Sequence, residues 1–110
     1  MSTQLPPACP KPCGECPWRR ESIPGWLGPF EADEWLTLIS SDEPVACHIT
    51  IEVDDEWTER TRQCAGAAVY RRNVAKLPRN PEVAVADQRD TETVFATPGE
   101  FAAHHDRRPR

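Results

Sequence analysis

The ten residues CPKPCGECPW, positions 9–18, constrain this chain more than any other stretch. They hold three cysteines and three prolines. Proline lacks an amide proton and fixes its own φ, so the stretch can be neither helix interior nor central strand. The following RRESIPGWLGP keeps glycine and proline recurring. A loop of this kind becomes ordered only when something other than a backbone ladder holds it. Its own cysteines are the candidates.

The need for such a staple follows from size. With 110 residues, 38% of them hydrophobic and 28% charged, the chain makes one modest domain. Small domains bury proportionally little surface and often use a metal or disulfides to compensate. The N-terminal MSTQLPPACPKP lacks the basic-then-apolar pattern of a secretion signal, and no apolar run is long enough for a bilayer. A cytoplasmic location is therefore expected, where thiols stay reduced. Five cysteines, an odd number, also suit a disulfide framework poorly. Metal binding or thiol redox chemistry is what remains.

The spacing of apolar residues predicts an α+β fold: a small metal-stapled single domain with a cysteine loop, two or three helices and a short strand or hairpin. FEADEWLTLIS reads as a helix with Ala32, Trp35, Leu36 and Ile39 on one face and acids in its first turn. VACHITIEV reads as a strand, with Val45, Cys47, Ile49 and Ile51 on one face and Ala46, His48 and Thr50 on the other. A second helix is expected over TRQCAGAAVYRRNVAKLPRNP, with Ala67, Tyr70, Val74 and Leu77 as its stripe and Pro78 as its stop. PEVAVADQRDTE suggests a short edge strand. TPGEFAAHH closes with a helix capped by Thr97, with Pro98 at its first position and Glu100 completing a capping box. Residues 1–12 read as a flexible proline-rich lead-in, 13–105 as the domain and 106–110 as a disordered basic tail.

Cys13 and Cys16 form a C-x-x-C knuckle, whose two sulfurs can converge on one ion. Cys47 from the strand and Cys64 from the start of the second helix complete a four-sulfur set. A helix N-terminus also favours a thiolate at Cys64. Taken singly, Cys47 or Cys64 is equally well read as a small buried hydrophobe. Cys9 is the spare thiol. Strand parity turns His48 away from Cys47, so His48, Cys9, Trp18 and Arg19 are expected around the centre as supporting residues or substitute ligands. His104 and His105 are expected in a frayed, solvated helix end. Spacing alone leaves both Zn2+ and a [4Fe–4S] cluster open.

PCGECPWRR, ACHIT and CAGAAVYRR together resemble an uncharacterised family of small proteins from actinobacteria and their phages. That resemblance implies the grouping of Cys13, Cys16, Cys47 and Cys64, and a bacterial host cell. CGECPWR is also similar to a segment of WhiB-type iron–sulfur regulators, which tilts the expected cofactor toward [4Fe–4S]. No further cysteine closely follows Arg19, and PGWLG stands where those regulators carry a glycine-tryptophan-glycine turn.

The function expected from these features is that of a small non-enzymatic metal-centre protein with a protein partner. The acidic runs FEADEW and EVDDEWTE would meet a basic surface. One alternative is a C-x-x-C thiol redox or sensor protein. Another is a zinc-stabilised nucleic-acid module using Arg71, Arg72, Lys76 and Arg79. The net charge of −5 argues against nucleic acid.

Overall fold

Glu31 begins the first helix, α1 (Ala32–Ser40), because the Glu34 carboxylate folds back to accept the Glu31 amide. The fold is that of a computed structural model, which describes residues 9, 16–25, 27, 30–47, 61–80 and 82–106. Trp35 and Ile39 bury the expected face of α1, with Ala32 and Leu36 half-buried beside them. The C-terminal carbonyls of α1 meet a buried cation. Arg71 donates to the carbonyls of Ile39, Leu38, Ser41 and Glu43. Helix ends need such partners, and here a guanidinium fork supplies them from another helix.

That second helix, α2 (Ala65–Asn73), starts at Cys64 as expected and stops well short of Pro78. Its end is set by tertiary bonds. Asn73 accepts the Asp90 amide and donates to the carbonyls of Asp90, Val94 and Phe95. Ala75 then turns left-handed at φ 58°, and Ala75 and Lys76 donate to Arg72 and Arg71 in a Schellman pattern. Leu77, expected on the apolar stripe, is instead exposed. The basic face expected across Arg71, Arg72, Lys76 and Arg79 does not form. Arg71 is buried, Arg72 donates to the Ala86 carbonyl, and the last two lie beyond the helix.

The third helix, α3 (Pro98–His104), has the expected Thr97 cap and N-terminal proline. Its Glu100 does not close the capping box. The carboxylate takes the Ala96 amide and a two-pronged contact from Arg20, at 2.6 and 3.2 Å. An arginine fork satisfies both carboxylate oxygens at once, which a single backbone amide cannot do.

Strand structure among the described residues amounts to two isolated antiparallel bridges, Arg19 with Val94 and Ala46 with Gln63. Of the expected strand VACHITIEV, only Val45–Cys47 lies within the described residues. The expected edge strand is irregular over 82–92. Trp18 fills the centre, stacked on Phe101 at 4.3 Å, tilted against Tyr70 at 4.7 Å and edge-on to Trp35 at 6.4 Å. Trp26 and Trp57 lie outside the described residues, as do the lead-in before Cys9 and the tail after Asp106. Among the described residues no helix is long and apolar enough to cross a membrane.

Candidate metal centre

Cys16 and Cys64 are 48 residues apart in sequence, and their sulfurs lie 3.5 Å apart in the core. Neither of these thiols, nor those of Cys9 and Cys47, is tied in a disulfide. Cys64 caps α2, and its sulfur accepts the Ala67 amide at 3.4 Å. The sulfur of Cys16 lies against the same helix end. The bond from the Cys64 thiol holds the Cys16 pKa below the usual range, aided by the backbone amides of Trp18 and Gly66 and by the Arg19 charge. The same contact, with burial added, pushes the Cys64 thiol well up.

Gly66 makes this approach feasible. A Cβ built there would fall 2.2 Å from the Cys16 sulfur and 3.3 Å from the Trp18 Cβ. Glycine inside a helix is a propensity cost that needs a packing reason, and the sulfur is that reason.

Cys47 arrives through backbone register. Ala46 faces Gln63, with the Cys47 amide on the Arg62 carbonyl and the Cys64 amide on the Val45 carbonyl, both at 2.7 Å. Side chains alternate along such a pairing, so Cys47 and Cys64 share a face. Both are buried, and the Cys47 thiol adds repulsion that helps raise the Cys64 pKa. Gln63 points its own carbonyl the other way, where it accepts the Cys9 amide at 3.0 Å. Burial, with the neighbouring Cys47 thiol adding to it, raises the Cys9 pKa.

The structure brings the sulfurs of Cys16 and Cys64 into contact, sets Cys47 on the same face as Cys64, and ties Cys9 by its amide to Gln63. Cys13 and His48 lie outside the described residues. Trp18 backs the pair from the core. Among the described residues its indole nitrogen and the Tyr70 hydroxyl are buried without a hydrogen-bond partner, and burial lifts the Tyr70 pKa to about 12. Among the described residues alone, no group of three or more histidine, cysteine, aspartate or glutamate side chains is set to hold a metal ion.

Two further residues of the site are not apparent from the sequence. His105, expected in a frayed end, is buried at 3% exposure. Its Nδ1 accepts the Gly25 amide at 3.0 Å, and its Nε2 donates to the Pro17 carbonyl at 2.8 Å. Those two bonds require the neutral Nε2–H tautomer. His104 is half-buried, and its Nε2 donates to the Ser22 carbonyl at 2.7 Å. Together they brace the backbone that follows Cys16. Nothing local in AAHH announces this, because the partners are some 80 residues away in sequence.

Comparison of the chain with protein-family models, with curated proteins and with solved structures finds no match in any of the three.

Proposed function

We propose that this protein is a non-enzymatic module built on a metal ion held by four thiolates, and that it works by binding a protein partner. Cys16, Cys47 and Cys64 would be ligands, with the fourth supplied from the knuckle by Cys13. The contact between the Cys16 and Cys64 sulfurs carries this reading. Two thiolates on one tetrahedral zinc ion, with bonds of about 2.3 Å, stand roughly 3.8 Å apart. In a [4Fe–4S] cluster each cysteine binds its own iron, so sulfurs are spread well beyond contact. The 3.5 Å separation therefore favours a single ion, Zn2+, over the cluster. The donor set fits: two sulfurs already receive backbone amides, as thiolates do, and Gly66 leaves the room that one of them occupies.

The partner half of the proposal draws on α1 and α3. They flank an open cleft of about 610 Å³ with Leu36, Ala102 and Ala103 among its walls and Glu31, Asp33 and Asp106 among its acids. Such a surface suits a basic segment.

Anaerobic purification with elemental analysis and a visible spectrum tests the centre. We expect a colourless protein with one zinc per chain, which C16S and C64S lose along with stability, since binding free energy is then folding free energy. A brown protein rich in iron would overturn the single-ion reading, and a metal-free protein with a cooperative melt would overturn the centre.

The same contact favours a second reading, a thiol switch. Cys16 and Cys64 need little motion to form a disulfide, giving two electrons and two protons to hydrogen peroxide, which leaves as two waters. Mass analysis after peroxide treatment separates the two, because zinc-bound thiolates would resist closing that bond.

A further inference from the structure

A single imidazole holds both ends of the loop that follows Cys16. The Nδ1 of His105 accepts the Gly25 amide at 3.0 Å, and its Nε2 donates to the Pro17 carbonyl at 2.8 Å. The ring is buried and packs on Phe101 at 4.8 Å, so neither bond is easily traded for one to water. The Ser22 hydroxyl also donates to the Pro17 carbonyl, and His104 donates to the Ser22 carbonyl. Loop 17–25 is thus tied to the C-terminal end of α3 through its two histidines. We propose that His105 is a pH-operated latch. As the neutral Nε2–H tautomer it closes loop 17–25 onto α3, and a proton taken up at Nδ1 opens that loop together with the last turn of α3.

Once Nδ1 carries a proton, N–H faces N–H across that contact, and the Gly25 amide loses its acceptor. His104 does not respond in this way, because its bond uses Nε2 as donor and a proton added at Nδ1 leaves that donor in place. The charged groups around His105 pull in both directions. Glu31 and Asp33 of α1, with Asp106, line the cleft beside it and favour a cation, as does the C-terminal end of α3. The His104 ring at 4.8 Å and the Arg20 guanidinium, seated over the Phe95 ring that His105 meets edge-on, oppose one. Glu31 and Asp33 are exposed and act through solvent, whereas the Gly25 amide is in direct contact. The closed loop therefore binds no proton at His105 and the open loop binds one. Closure is at full strength above the open imidazole's value, about 6.5, and weakens about tenfold per pH unit below it. The stack of Phe101 on Trp18 and the Arg20–Glu100 fork are independent of His105, and they keep the first turn of α3 in place.

Hydrogen exchange resolved amide by amide tests the latch on the full chain. After correction for the intrinsic pH dependence of exchange, protection of the Gly25 and His105 amides should fall about 30-fold from about pH 7.5 to about pH 5. The Ala68 and Val74 amides, which bond within and at the end of α2, should keep their protection. H105Q, whose side chain carries both a donor and an acceptor but no titrating nitrogen, should lose the pH dependence, and H104Q should retain it. A Gly25 amide indifferent to pH in wild type, an equal fall in H105Q, or no fall in H104Q would each overturn the latch. An equal fall at Ala68 and Val74 would mean global unfolding and overturn it too. Should H105Q not fold, wild type decides alone. A fall at Gly25 and His105 with α2 unmoved carries the inference, and a flat profile refutes it.

Discussion

Replacing Gly66 by alanine sets two rules of protein stability against each other, and the structure decides the sign. On propensity alone G66A is favourable, since glycine in a helix costs about 1 kcal/mol relative to alanine. Packing opposes it. The new methyl would lie 2.2 Å from the Cys16 sulfur, where ordinary contact needs about 3.5–4 Å. The sulfur must then withdraw by about 1.5 Å or swing to another rotamer. Neither move can be made toward solvent, because Cys16 is 1% exposed and Trp18 behind it is 0% exposed. Overpacking of this kind costs about 1–3 kcal/mol, and the Cys16–Cys64 contact goes with it. We expect G66A to be net destabilised by about 1–2 kcal/mol, which for a domain of this size lowers Tm by about 4–9 °C. Urea denaturation with elemental analysis measures both consequences. A G66A protein that melts at or above wild type would refute the cradle, and with it the placement of Cys16 against α2.

Other positions give independent checks. A75G should stabilise the protein by about 1 kcal/mol, because Ala75 already holds a left-handed φ that glycine adopts without steric cost; an unchanged denaturation midpoint would contradict this. H105A removes two hydrogen bonds from a buried ring packed on Phe101 at 4.8 Å, and should cost about 2–4 kcal/mol. A loss under about 1 kcal/mol would mean that the brace on the cysteine loop is slack. The hydrogen bond from Arg20, then the Ala96 amide, hold the Glu100 carboxyl below its ordinary range. A depressed folded pKa means the stabilisation is present above the unfolded value, about 4.3, and is lost as pH falls through the lower folded value. E100Q should therefore flatten part of the acid limb in a plot of Tm against pH, and an acid limb identical to wild type would show that the Arg20 pair contributes nothing.

How much of this is legible in the sequence depends on range. The beginnings of α1 and α3 are written locally, in Glu34 reaching back to Glu31 and in Thr97 ahead of Pro98 and Glu100. The end of α2 is not local, since Asn73 spends its amide on residues 90–95 and so terminates a helix that periodicity would carry to Pro78. Arg71 and Arg72 read as a basic face for the same reason. Their carbonyl partners belong to segments that only the fold brings near. Within the site, the grouping of Cys16 with Cys64 follows from cysteine chemistry. The cradle at Gly66 does not, because a glycine in a helix does not name the atom that approaches it. Cys9 reads as a spare because spacing carries no information about the Gln63 carbonyl that anchors it.

The bonds from His104 and His105 to the loop after Cys16 have a bearing on how the chain matures. Synthesis runs from the N-terminus, so the cysteine-bearing segment emerges first and its clamp some 80 residues later. A nascent chain halted before residue 105 would present reactive sulfurs and Trp18 without the aromatic and imidazole cover that Phe101 and His105 provide. Burial of Cys16 and Trp18 is therefore completed only once α3 is made, and truncation at that helix should leave Cys16 more open to alkylation than it is in the finished fold.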